Sequence, residues 1–187
     1  MLHDDGSVRV EQRPYRDSPL MELRGHIRLR ATLNEVMALL RDAQYNAQWV
    51  YRSGGAEILE QPTNARAYVY GVVDAPWPMQ DRDTAVRFDF AQDASTRVIR
   101  IEITNTPDIY PEQASRVRVP DFGGFWQLTP LSDGWVEVIY QVRGDPGGWV
   151  PVWLANHAAQ VSVTKTLQQM PVAVDHYRGR TSAGVMD

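Results

Sequence analysis

The sequence predicts an α+β domain in which one antiparallel β-sheet wraps around a single long helix near the end of the chain. Three observations lead there. Much of the middle alternates with period two, as in Thr84, Val86, Phe88 and Phe90 against Asp83, Ala85, Arg87 and Asp89. Clear helical spacing occurs early, after residue 32, and late, after residue 150. A sheet with one apolar face must cover that face, and the late helix is the only long element left to do so. A sheet curled around a helix can leave a cavity between them.

Taken in order, Val8 to Gln12 is a first strand and Leu20 to Leu29 a second, with Leu23, Gly25, Ile27 and Leu29 on one face. The period then changes. Thr32-Leu33-Asn34-Glu35 reads as a capping box, and Val36, Leu39 and Leu40 continue a helix that ends near Arg41 or Asp42. Tyr45 to Trp49 is a short helical turn. Strands follow at Ala56 to Gln61, Arg66 to Val72, Thr84 to Phe90, Ile99 to Thr104, Phe125 to Leu131 and Val136 to Arg143. Ser132-Asp133-Gly134 and Asp145-Pro146-Gly147-Gly148 are turns. Pro151 suits the first position of the last helix, and Val150, Leu154, His157, Ala158 and Val161 share one of its faces. Pro171 is expected to kink or break that helix, with a short helix from Pro171 to Tyr177 and a frayed polar tail from Arg178.

Composition narrows the function classes. A chain of 187 residues fits one domain, 1–187, with a core of about 5–177 and a tail of 178–187. It contains no cysteine, which removes thiol nucleophiles, cysteine-bound zinc and redox motifs. Net charge is −4, Lys165 is the only lysine, and the arginines are dispersed, so nucleic acid is not an expected partner. The arginine-rich, lysine-poor usage fits a high-GC genome. No apolar run approaches the roughly 18 residues of a membrane span, and Met1-Leu2-His3-Asp4-Asp5 lacks the features of a signal peptide. A soluble, cytoplasmic or periplasmic monomer is the expectation, allowing that a leader was removed. No paired histidines at metal spacing, nucleophile elbow or phosphate-binding glycine motif occurs, so no metal or cofactor is expected.

Four segments in order carry a resemblance. They are Asp4-Asp5-Gly6 with the Val8 strand, and Pro76-Trp77-Pro78 with Asp81-Arg82-Asp83 and the strand to Phe90. Then come Pro111-Glu112-Gln113 with Arg116-Val117-Arg118 and the run Gly123 to Leu131, and finally Asp145 to Asn156. Together, over about Asp5 to Met170, they resemble the StAR-related lipid-transfer (START) family, as a bacterial-type member. The resemblance implies a helix-grip fold and a tunnel for one lipid, entered between the last helix and a loop joining two central strands. The family's usual N-terminal helix has no counterpart, as in a trimmed chain. A buried carboxylate–arginine pair of sterol-type members would fall near Val69 and near Arg87 or Phe88, so here it is absent or altered.

The candidate ligand-binding residues are Val69, Val86, Phe88, Ile101, Trp126, Leu128, Tyr140, Trp153, Leu154, His157 and Val161. The alternative reading makes them ordinary core, and for His157 a satisfied core histidine. Arg82, Arg87 and Arg100 are candidate polar anchors. Against that, Arg82 and Asp83 fit a pair that fixes the adjoining turn, and Arg87, Asp89, Arg100 and Glu102 fit a ladder of charges on the outer face. A gate is expected from Trp149 to Leu154 and the loop Gln92 to Thr96, with Asp108 to Pro120 moving as well.

Three functions remain open at this point. The first is a non-catalytic carrier of a lipid or other hydrophobic molecule, with transient membrane contact through Trp149 and Trp153. The second is a polyketide cyclase or aromatase, with Tyr140, His157 and Arg82 as its polar groups. The third is a sensor or accessory protein that holds a quinone or lipid. Several polar side chains converging in the cavity would favour the second.

Overall fold

The computed structural model describes residues 1–15 and 18–187. Its strands are β1 (His3–Asp4), β2 (Val8–Tyr15), β3 (Ser18–Arg30), β4 (Ser53–Thr63), β5 (Arg66–Val73), β6 (Asp81–Gln92), β7 (Ile99–Asn105), β8 (Arg116–Arg118), β9 (Asp121–Pro130) and β10 (Trp135–Asp145). Its helices are α1 (Leu33–Arg41), α2 (Asn46–Trp49) and α3 (Val152–Asp175). The expected α+β architecture is present. One antiparallel sheet runs β1-β2-β3-β10-β9-β7-β6-β5-β4, and β8 adds in parallel to the start of β6. The short strands β1 and β8 had no signal in the alternation, because two or three residues show no period.

Thr32 caps α1 as expected. Its side chain accepts from the Glu35 N–H, and the Glu35 carboxylate accepts from the Thr32 N–H. The inner faces of β3, β7, β9 and β10 supply Leu23, Ile27, Leu29, Ile99, Leu128 and Val138, all buried under α1 and α3. Helix α3 reaches the sheet at Gly25. A Cβ there would lie 2.3 Å from Leu167 Cδ1 and 2.9 Å from Val163 Cγ1. Glycine therefore sets how deeply the helix sits.

Several expectations about the end of the chain are corrected. Pro151 is the N-cap of α3 and not its first residue. The helix runs unbroken through Pro171 to Asp175. The proline removes one helical donor, that for the Leu167 carbonyl. Burial of Met170, Ala173 and Val174 on either side holds the helix against that loss. The inward face of α3 carries Val163, Thr166, Leu167 and Met170, rather than the face with Leu154, His157 and Val161. The first turns of α3 carry apolar residues on every side, so periodicity alone could not choose a face.

The segment from Arg178 is docked and not frayed. Gly179 N–H donates to Glu35, Ser182 N–H to Asn34, and Asn34 N–H and Nδ2 to Asp187. Val185 packs on the core. The tail also holds the loop after β6, where Gln92 donates to the Met186 carbonyl and Arg97 to the Asp187 carbonyl. This loop thus lies beside the last turn of α3. Trp149 to Leu154 lies at the other end of a 24-residue helix, about 36 Å long. The expected gate is therefore corrected, since Gln92 to Thr96 cannot close against Trp149 to Leu154.

Gly25→Ala is expected to lower stability by about 1–3 kcal/mol through overpacking against Leu167 and Val163. Urea unfolding at neutral pH measures it, and an unchanged midpoint would remove Gly25 as the seat of α3.

Candidate ligand-binding cavity

Between α3 and the inner faces of β5, β6, β7, β9 and β10 lies a cavity of about 300 Å³. Alternation places Val69 on β5, Thr84, Val86, Phe88 and Phe90 on β6, and Ile101 and Ile103 on β7 along its wall. Trp126 and Tyr140 face each other across the β9–β10 pair and stack with ring centroids 3.8 Å apart and planes 7° from parallel. Trp49 from α2 packs on Trp126 at 6.4 Å. Helix α3 closes the space with Ala159, Ser162, Val163 and Thr166. Half-buried or exposed residues such as Tyr51, Ser53 and Val73 also line it, with Tyr51 beside Lys165 and Thr166 of α3.

Of the candidate binding residues, the structure brings Val69, Val86, Phe88, Ile101, Trp126 and Tyr140 to the cavity wall. The other five lie elsewhere. Leu128 is fully buried in solid core beside Val138 and Ile99. Trp153 is 71% exposed, His157 is exposed, and Leu154 and Val161 are half-buried off the wall. The four on α3 follow from the wrong choice of helix face, whereas Leu128 faces inward on β9 at a point where the core is solid. The wall residues missed include Thr84, Phe90 and Ile103 on the strands, those of α2, and the α3 face with Ala159, Val163 and Thr166. Small and hydroxyl side chains carry no apolar signal, although the i, i+4, i+7 spacing from Ala159 was present.

None of the three candidate anchors points into the cavity. Arg82 donates to the carbonyls of Gln80 and Pro146. Arg87 pairs with Asp89 at 2.7 Å, and Arg66 pairs with the same carboxylate at 2.6 Å. Arg100 pairs with Glu102 at 2.6 Å and lies 3.1 Å from the centroid of the Phe125 ring. Arg87 and Arg100 hold outer-face positions, fixed by the same alternation that turns Val86, Phe88 and Ile101 inward. Arg82 shares the parity of Thr84 and Val86, but it lies beyond the cavity wall with its guanidinium bound to those two carbonyls. Val69 and Phe88 both line the cavity, with no carboxylate–arginine pair between them.

A buried pair exists instead on the outer side of β6. Arg118 Nε donates to Asp83 Oδ1 at 2.7 Å, and Tyr70 Oη donates to Asp83 Oδ2 at 2.8 Å. The two charged side chains are 7% and 1% exposed. Arg116 donates to Tyr70 Oη at 2.9 Å. Arg118 also donates to the carbonyls of Pro107, Tyr110 and Pro111, so that one guanidinium ties residues 107–111 across the sheet. Burial alone would raise the Asp83 carboxyl, but the hydrogen bonds from Arg118 and Tyr70 outweigh it and hold it below the usual range. No group of three or more histidine or acidic side chains able to hold a metal occurs among the described residues.

The sequence matches the START domain over residues 5–180, and the chain belongs to that family. An uncharacterised protein of Pseudomonas aeruginosa is 31% identical over 175 residues, covering 94% of this chain and 86% of that protein. Human phosphatidylcholine transfer protein is 31% identical over 146 residues, covering 75% of this chain and 66% of that protein. A fragment of a STAR-related lipid transfer protein from Xanthomonas axonopodis superposes with a TM-score of 0.85 at 34% identity, covering 92% of this chain and 96% of that one. A Streptomyces aromatase/cyclase superposes with a TM-score of 0.56 at 17% identity, over 95% of this chain and 99% of that one, and shares the fold alone.

Asp83→Asn is expected to cost about 3–5 kcal/mol at neutral pH, because Arg118 is left buried without its counter-charge. The folded pKa of Asp83 is depressed. Its contribution is thus complete above the unfolded value of about 3.9 and is lost as pH falls through the folded value. Urea midpoints at pH 7 and pH 3 should therefore converge between wild type and variant at the lower pH. A constant gap would place the cost outside this ionisation.

Proposed function

We propose that this protein binds one lipid or comparable hydrophobic molecule in the cavity and passes it between membrane surfaces without altering it. The observation that carries this reading is a mostly apolar cavity enclosed by sheet and helix in a START-family chain. Burial of hydrocarbon contributes about 0.8 kcal/mol per CH2, so an apolar wall suffices for binding.

Passage to a membrane needs a face that can meet one. Trp77, Trp149 and Trp153 are 92%, 91% and 71% exposed, beside Val73 and Val152. Trp77 lies in the β5–β6 connection, and Trp149 and Trp153 lie at the start of α3. The Arg82–Pro146 hydrogen bond brings these two segments together. Indole rings with an apolar body and a polar N–H suit the interface between lipid and water. The three side chains that were candidates for a cyclase, Tyr140, His157 and Arg82, do not converge in the cavity. Tyr140 faces the cavity, while His157 is exposed and Arg82 is tied to backbone carbonyls.

Native mass spectrometry of the purified protein, followed by extraction, is expected to show one lipid per chain. A protein that arrives without lipid and takes up no sterol, phospholipid or fatty acid from vesicles would overturn the reading. Replacing Trp77, Trp149 and Trp153 together by alanine should slow transfer between vesicles at least tenfold and leave the bound amount at equilibrium unchanged. Transfer at the wild-type rate would remove these residues from membrane contact.

A further inference from the structure

The polarity of the cavity specifies more than its shape. Among the described lining residues the single charged side chain is Arg143, whose position on β10 turns its side chain to the outer face and whose Nε is buried without a hydrogen bond to a described residue. Arg143 is paired in register with Gly123, whose Cβ position would lie 3.0 and 3.1 Å from the two guanidinium nitrogens. The guanidinium also stands 4.5 Å from the Tyr15 ring centroid, with Nε 3.9 Å from Asp121. A phosphate, carboxylate or ammonium group placed inside would lose its hydration with no charged side chain turned inward to compensate.

The neutral polar groups of the wall are mostly engaged with the protein itself. Thr166 Oγ1 accepts from the Tyr51 N–H, and Ser53 Oγ donates to Asn46 Oδ1. Tyr140 differs. Its hydroxyl makes no hydrogen bond to a described residue, its ring is stacked on Trp126, and it faces the cavity. Burial pushes its pKa up, so the group stays a protonated donor. The neighbouring indole nitrogen of Trp49 is likewise buried without a partner. The cluster thus presents two donors, Tyr140 Oη–H and Trp49 Nε1–H, that no described acceptor takes. The volume of about 300 Å³ lies at the small end of ligand sites.

We infer that the cavity selects an uncharged, compact or single-chain lipid bearing an acceptor oxygen, to which the Tyr140 hydroxyl donates. The inference rests on the carrier reading above and adds the chemical class of the cargo. A carbonyl, ester or ether oxygen satisfies the donor, and the aromatic pair accommodates the flat group around it.

The test uses phosphatidylcholine vesicles doped with methyl laurate or with dodecane at equal mole fraction. Wild type and Tyr140→Phe are incubated with each, and the lipid bound per chain is extracted and quantified. Thermal unfolding of both proteins is followed without lipid. Wild type is expected to take methyl laurate in preference to phosphatidylcholine. Tyr140→Phe should bind the ester roughly threefold to tenfold more weakly, the ratio for one neutral hydrogen bond. Dodecane binding should stay unchanged. The unfolding midpoint of the variant should equal or exceed that of wild type, since the deleted hydroxyl has no protein partner.

Equal losses for ester and hydrocarbon, no loss for the ester, or a lowered midpoint would each overturn the role of Tyr140. Retention of phosphatidylcholine in preference to the ester would overturn the neutral class and leave lipid carriage standing. Failure to bind any of the three would overturn carriage itself, and this inference with it.

Discussion

The ion pair between Asp83 and Arg118 lies on the outer side of the sheet, where an antiparallel strand ordinarily meets water, yet both side chains are almost fully covered. A buried charge left alone is costly, so each partner is held wherever the other goes. Arg118 brings β8 alongside the start of β6, and Val119 N–H donates to the Asp83 carbonyl. Its remaining donors fasten residues 107–111 over Tyr70, which stacks on Tyr110. Gly147 then packs against Val117 and Pro120 with a positive φ of 66°, and the chain turns there into α3. One charge pair outside the sheet thereby orients the beginning of the helix that closes the cavity inside it.

The helix and the sheet meet closely along one line and separate along another. Gly25 admits Leu167 and Val163 against β3, while Val69, Val86 and Phe88 face α3 across open space. The cavity is the consequence of this unequal approach. At its other end the docked tail, through Asp187, Met186 and Ser182, joins α1 to the loop after β6. At the start of α3, by contrast, Trp149 and Trp153 project from the surface.

Charge distribution follows strand alternation. Arg87, Asp89, Arg100 and Glu102 satisfy one another outside, which leaves a wall of aliphatic and aromatic groups inside. Such a wall binds by burial and discriminates by the few polar atoms it leaves unpaired. In the proposed reading Tyr140 would do so, because its stack with Trp126 fixes the ring while its hydroxyl makes no hydrogen bond to a described residue.

The sequence by itself determined the class of fold, the order of the long strands, the capping box at Thr32 and Glu35, and the inward side of β6 and β7. Each of these is written in local periodicity or in a motif a few residues long. The face of α3 was not legible, because Trp153, Leu154, Ala155 and Ala158 surround its first turns with apolar groups. Contact with Gly25 and with the cavity decided it. The unbroken course through Pro171 and the docking of residues 178–187 were likewise decided by burial and by partners such as Glu35 and Asn34, distant in the chain. Asp83 and Arg118 were each visible as charged residues. Their pairing across 35 positions, and the place of the cavity relative to it, arose only when the sheet brought those strands together.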